Sequence, residues 1–333
     1  MKNIFFIVLV LGGFACSHDA GKSIVYDSDS KPYTILDSLS DVIVSDPYNS
    51  NNYYRRALYF HSERELDQAL ADMKRALTID STVAEYFYET GNIYFENNLF
   101  EDAFSSYQKA VELDKVHVDA ILQLSRIELG LENHELAMEM VNKALKVEPM
   151  DPEGYLLKGY IYLDMSDTVN AISSFRTAVE VDSDHYESYI LLGKLYEIKK
   201  HSFAGDYYDN ALRIRPNSIE ALYTKGMYLQ GIEEYDKAYL LYDRIIELDS
   251  VSYFAYYNRG YMLLVSDSSY SAAIEEFEKA LVYYPYYFQA MYNIGLCYEN
   301  QGDYDQAEKY YKKSLDIDPQ YDLAAKGLSR LLE

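Results

Sequence analysis

This sequence predicts an all-α fold, a row of helical hairpins stacked as a solenoid. Three observations carry the expectation. Alanines recur at Ala69, Ala103, Ala137, Ala171, Ala204, Ala238, Ala273 and Ala307, spaced 34, 34, 34, 33, 34, 35 and 34 residues apart. A fixed period of this size marks a repeat architecture in which each unit stacks on its neighbours. Helix breakers are few, with 15 Gly and 7 Pro in 333 residues, while 49% hydrophobic content is enough for a packed core.

Further series keep step with the first. Ala76, Ala110, Ala144, Ala178, Ala211, Ile245, Ala280 and Ser314 follow it by seven residues. Glycines hold a third phase at Gly91, Gly159, Gly193, Gly226, Gly260 and Gly295, with Ala57 and Ser125 in the remaining units. A bulky residue lies four places after each leading alanine: Met73, Tyr107, Val141, Phe175, Tyr208, Tyr242, Phe277 and Tyr311. Proline or a polar residue closes each unit, as at Pro149, Pro216, Pro285 and Pro319. Small residues let two helices approach, large ones fill the space between pairs, and proline stops the second helix.

A chain of 333 residues ordinarily divides into about two domains, but the repeat replaces that expectation with one solenoid. The pattern resembles the tetratricopeptide repeat, and its last unit, AMYNIGLCYENQGDYDQAEKYYKKSLDIDP, follows that family closely. Eight units are expected over 50–321: 50–83, 84–117, 118–151, 152–185, 186–218, 219–252, 253–287 and 288–321. Residues 32–49 hold a leading cap helix and 322–333 a closing one. The resemblance implies a right-handed superhelix, with the first helix of each pair lining a concave groove that grips a protein or peptide partner. It also admits self-association as a homodimer.

The resemblance points positions 2, 5, 9 and 12 of each first helix into the groove. Position 2 supplies an acidic ridge of Glu85, Asp119, Glu153, Glu187 and Glu220. In the seventh unit Phe254 replaces the acid, and Tyr257, Tyr261 and Leu264 share its face at helical spacing. Tyr223, Met227 and Tyr292 flank them, so these seven residues are the expected partner-binding site. The alternative is that a chain with 38 Tyr uses them as packing, as the YYPYYF run from Tyr283 to Phe288 suggests. Arg126 and Lys194 at position 9 stand opposite the acids, and no basic residue occupies position 5.

The chain starts with Met1-Lys2, an apolar run from Ile4 to Leu11, and Cys16. Eight residues make ~12 Å of helix, short of a ~30 Å bilayer core, so 1–15 reads as a signal peptide rather than a span. Cys16 after Ala15 resembles a bacterial lipobox, which implies lipidation of Cys16, although Gly13 stands where that motif usually has Leu. Ordinary cleavage after Gly13-Phe14-Ala15 is the alternative. Residues 16–31 are polar and read as a flexible tether reaching about 20 Å. The expected location is the bacterial envelope, lipid-anchored at the outer membrane, or else soluble in the periplasm or secreted.

Charge and chemistry narrow the function. A net charge of −24 argues against nucleic acid as a partner. Two cysteines make no disulfide framework. The six histidines, His18, His61, His117, His134, His185 and His201, form no paired metal-binding spacing. Cys297 reads as packing, with no base nearby in sequence. The reading is therefore non-enzymatic, with no cofactor or metal: a scaffold or adaptor lipoprotein. Its alternative is a glycan- or peptidoglycan-binding lipoprotein, weakened by zero Trp.

Overall fold

The computed structural model describes residues 25–26, 32–266 and 269–331. The expected signal peptide, Cys16, His18 and most of the tether lie outside them. Val25–Tyr26 (β1) and Pro32–Tyr33 (β2) form a short antiparallel pair, and eighteen helices follow among the described residues. The fold is an all-α stack of helical repeats.

The chain divides into two compact units, one ending at Ile127 and the other starting at Glu128. The first opens with α1 (Ile35–Ser45), whose N-cap Thr34 and Asp37 form a reciprocal capping box. Two hairpins come next, α2 (Ser50–Ser62) with α3 (Leu66–Ile79) and α4 (Ala84–Glu96) with α5 (Phe100–Leu113). Helix α1 packs on α2, and α3 packs on α4. Helix α6 (Val118–Gly130) belongs to this unit as far as Ile127.

The second unit continues with α7 (His134–Val147). It then stacks α8 (Pro152–Asp164) with α9 (Thr168–Val181) and α10 (Tyr186–Ile198) with α11 (Ala204–Ile214). The pairs α12 (Ile219–Gly231) with α13 (Tyr235–Leu248), α14 (Tyr253–Val265) with α15 (Tyr270–Tyr283) and α16 (Phe288–Gln301) with α17 (Tyr304–Ile317) follow, closed by α18 (Asp322–Leu331). Each second helix also packs on the next first helix, so each cluster of buried side chains reaches into the following hairpin.

The glycine phase has a direct steric cause. A Cβ at Gly159 would lie 2.3 Å from the Phe175 ring, at Gly193 2.4 Å from Tyr208, and at Gly91 2.5 Å from Tyr107. Gly226, Gly260 and Gly295 face Tyr242, Phe277 and Tyr311 in the same way, with 2.7 to 2.9 Å to the nearest ring atom. All six rings are almost fully buried. The bulky residue of the second helix thus lies on bare backbone of the first. Gly327 of α18 receives the other side of the Tyr311 ring, which explains how the closing helix seats.

Seven of the hairpin turns share one backbone device. Arg64, Asn98, Glu132, Ser166, Lys200 and Glu233 all have φ between 52 and 65°, and Gly302 has φ 80°. The residue after each donates back five positions, as Glu65 N–H does to Phe60 O at 2.8 Å and Asp303 N–H to Tyr298 O at 3.0 Å. This satisfies carbonyls at the helix end. Only the last described turn uses glycine, so the others accept left-handed strain to fix a short connection.

The ring-on-backbone contact yields a test. Gly159→Ala should destabilise by about 1–3 kcal/mol through overpacking, read by chemical denaturation. Gly130→Ala, where a Cβ meets nothing within 4 Å, should be neutral or stabilising by up to ~1 kcal/mol. Equal effects at the two sites would remove the steric account.

Candidate functional site

The first helices of the second unit bring most of the expected aromatic site together. Tyr223 on α12 meets Phe254 on α14 with centroids 5.1 Å apart, edge to face. Phe254 contacts Tyr253 at 5.8 Å, and Tyr253 contacts Tyr284 at 5.0 Å and Tyr287 at 5.5 Å. Tyr257 closes the row on Tyr287 at 4.6 Å. Helical spacing puts Tyr253 and Tyr257 on one face of α14, and the connection after α15 delivers Tyr284 and Tyr287 onto them. Tyr256 and Tyr283 stack beside this row at 5.8 Å.

The rings are neither sealed nor loose. Tyr223, Phe254, Tyr257 and Tyr287 are half-buried, while Tyr253 and Tyr284 are 37% and 42% exposed. Burial pushes the Tyr257 phenol up to about 12, opposed by Asn293, whose Nδ2 donates to its oxygen at 3.2 Å. Burial, then the neighbouring Tyr257, raises Tyr287 well above the usual phenol range. Tyr223 is raised by burial and then by Tyr253, and Tyr321 by burial, Tyr292 and Asp318. Tyr253, Tyr257 and Tyr284 all have ring centroids within 5.7 Å of Tyr287.

The other expected residues divide between this face and the core. Tyr261 is half-buried and packs on two core clusters. Tyr292 contacts Tyr311 and Tyr321 at 5.7 and 5.5 Å. Met227 is 37% exposed, one helical turn after Tyr223. Leu264 is half-buried and packs against the Phe277 cluster.

Comparison with known proteins bears on the repeat fold. Tetratricopeptide-repeat family models match residues 54–117, 118–150, 152–185 and 288–321. This chain belongs to the tetratricopeptide-repeat family. Its fold is similar to the C-terminal part of a TPR repeat-containing protein from Cytophaga hutchinsonii, at TM-score 0.61 and 19% identity over 72% of this chain and 99% of the other. It is also similar to PilF of Pseudomonas aeruginosa, at TM-score 0.52 and 16% identity over 64% of this chain and 97% of that one. A general transcriptional corepressor, trfA of Dictyostelium discoideum, is 30% identical over 117 residues, 34% of this chain. The match spans 8% of that protein's length.

In this tetratricopeptide-repeat protein the position-2 acids have local partners. In the first unit Glu85 meets His117 Nε2 at 3.2 Å and accepts from Tyr54 Oη at 3.4 Å. Asp119 lies near the Tyr88 phenol. In the second, Glu153 meets His185 Nε2 at 3.2 Å, Glu187 accepts from Tyr160, and Glu220 accepts from Lys194 Nζ at 3.2 Å. Glu85, Glu153, Glu187 and Glu220 therefore tie neighbouring repeats together. Lys194, expected opposite the acids, is the cation that pairs with Glu220.

Sequence reasoning missed two features. His117 and His185 each stand one residue before a first helix and 32 residues after the acid they meet, a spacing visible in the chain. His61 likewise reaches Glu96 at 3.0 Å, and His134 reaches Asp164 at 2.5 Å. The tyrosine run before Phe288, read as turn packing, contributes Tyr284 and Tyr287 to the aromatic row. Its signal was its position, directly before a first helix.

Cys297 is fully buried, and burial alone pushes its thiol up to about 12, so it is protonated at neutral pH. Among the described residues no group of three or more His, Cys, Asp or Glu is placed to hold a metal ion. No described helix is long and apolar enough to cross a membrane.

The raised phenols make the fold sensitive to alkali. A phenol raised in the folded state contributes stability that is complete below its unfolded value near 10 and lost as pH rises through its folded value. Tyr257 and Tyr186 therefore withdraw stability between about pH 10 and 12. Unfolding monitored across that window should steepen there, and Tyr257→Phe should flatten it; an unchanged slope would remove Tyr257 from the effect.

Proposed function

We propose that this protein is a non-enzymatic interaction scaffold that holds a segment of a partner protein on the tyrosine face of its second unit. The carrying observation is the continuous ring row Tyr223–Phe254–Tyr253–Tyr287–Tyr257, half-buried yet open at Tyr253, Tyr284 and Met227. Amphipathic rings with an accessible edge supply large contact area at low entropy cost. Packing beneath them pre-organises the surface, which lowers the cost of binding. The acids paired across repeats support a rigid mount rather than a free ridge.

The envelope reading rests on the first residues. We infer lipidation of Cys16 after signal removal, with the outer membrane as the site of anchoring. A polar stretch before the first helix would let the repeats stand off the surface.

Two measurements test these readings. A photo-crosslinking residue at position 227 should trap one reproducible protein partner in cells, and Tyr253→Ala with Tyr284→Ala should reduce its yield severalfold without shifting the melting curve. An unreduced yield would move the site elsewhere. Cys16→Ser should release the chain from membranes on fractionation, whereas unchanged membrane recovery would refute lipidation.

A further inference from the structure

A second surface lies at the other end of the first helices. In the second unit, the residue at or beside the end of successive first helices is apolar and open to solvent. These residues are Leu131, Met165, Ile198 and Ile232, spaced 34, 33 and 34 apart. Together with Phe203 they are 50 to 78% exposed. Exposed apolar groups repeated along one edge mark a contact surface. The turns that carry them are neighbours. His134, just after Leu131, meets Asp164, just before Met165. A Cβ at Gly205, two residues after Phe203, would lie 3.0 Å from the ring of Tyr228, four residues before Ile232.

The turn after α10 departs from the others. It runs over five residues, Lys199 to Phe203, where the turns after α8 and α12 take three. Its exposed Phe203 is held from beneath. The Phe203 ring lies 4.6 Å from His201, His201 lies 5.3 Å from Tyr196, and Tyr196 stacks on Tyr207 at 5.1 Å. An exposed ring fixed in this way is pre-organised for contact.

Charge changes sign between this turn and the next. The turn after α10 carries Lys199, Lys200 and His201, with Asp206 behind them in α11. The turn after α12 carries Glu233 and Glu234, with Asp236 and Lys237 behind them in α13. Lys237 pairs with Glu234 at 3.0 Å, and Glu197, before the basic turn, accepts from Tyr208. Lys199, Lys200 and Glu233 have no ion-pair partner among the described residues, although their turns are adjacent.

A basic and an acidic turn side by side suit neither an anionic bilayer, which would repel Glu233 and Glu234, nor a partner of uniform charge. They suit their own two-fold image. In an isologous contact the basic turn of one copy meets the acidic turn of the other, twice over, with Ile198 and Phe203 closing on Ile232. This local pairing offsets the repulsion between two chains of net charge −24.

We propose that this edge joins two copies of the chain through the turns after α10 and α12. The tyrosine face stays free, because Tyr253 and Tyr287 stand at the starts of first helices, about 18 Å from their far ends. A dimer therefore carries two such faces, which multiplies its grip on a repeated partner.

Sedimentation velocity of the purified full chain over a concentration series tests this. Expected is a monomer–dimer equilibrium of micromolar strength. Lys199→Glu with Lys200→Glu should weaken it by about tenfold or more, as should Glu233→Lys with Glu234→Lys, each with circular dichroism unchanged. An equimolar mixture of these two variants should restore the dimer, because each reversed turn then meets its opposite. Phe203→Ser should weaken association severalfold, and Tyr253→Ala with Tyr284→Ala should leave it unchanged. A chain monomeric throughout, a mixture that stays monomeric, or a dimer lost with the tyrosine pair would overturn the proposal. So would a monomeric chain whose binding to phosphatidylglycerol vesicles is abolished by Lys199→Glu with Lys200→Glu. A partner still crosslinked at position 227 in a monomeric chain would leave the scaffold reading standing and sink this one alone.

Discussion

The structure depends on one contact repeated along the chain: an aromatic ring of the second helix lying on the glycine backbone of the first. At 2.3 to 2.9 Å from a would-be Cβ, there is room for no side chain beneath six of the rings. The contact fixes how closely each pair of helices approaches. It also fixes the depth at which the next hairpin meets the ring's other side, as Gly327 does for Tyr311. Close packing of this kind tolerates little change in volume, because the backbone cannot withdraw as a side chain can.

A second rule follows from the choice of ring. A buried phenol needs an acceptor, whereas a phenyl ring does not. Where the ring is Tyr208, Tyr242 or Tyr311, the residue four after the glycine is Glu197, Gln230 or Glu299, and each accepts from the hydroxyl. Where it is Phe175 or Phe277, that residue is Leu163 or Leu264, packed against the same cluster. Tyr107 departs from this and donates to Asn92 at 2.9 Å, one residue after Gly91. Leu264, which helical spacing puts beside the expected partner-binding residues, also follows this packing rule. Arg330 also contacts Glu299, at 2.8 Å, so the closing helix is latched to the acceptor of the last buried phenol.

The tyrosine face arises where these rules leave surplus rings. Tyr257 touches Phe277 at 5.6 Å below and Tyr287 at 4.6 Å above, so it belongs to both core and surface. Packing and an accessible edge are not alternatives there. The same ring that stiffens the repeat presents an edge to solvent, and the half-burial that raises its pKa also holds it in one orientation. The acids of position 2 took the opposite course. Their spacing suggested a solvated ridge, but His117, His185, Tyr160 and Lys194 engage them between neighbouring repeats.

Much of the fold was legible because a repeat writes its contacts at fixed spacing. Alanine, glycine and ring phases each report a local distance within one hairpin, and proline and polar residues report its end. The site was legible only in part. Phe254 stood out because it broke the acidic series, and Tyr223 and Tyr257 followed from helical periodicity. Tyr284 and Tyr287 could not be assigned from their own segment, because a tight turn decides which rings fold back onto the preceding first helix. The chain alone determined that short-range helix pairs form and where small residues must lie beneath large ones. Tertiary structure decided which of 38 tyrosines are sealed, which share a face and which acids are already occupied. Those outcomes depend on distances between residues about thirty positions apart in the chain, which no single helix encodes.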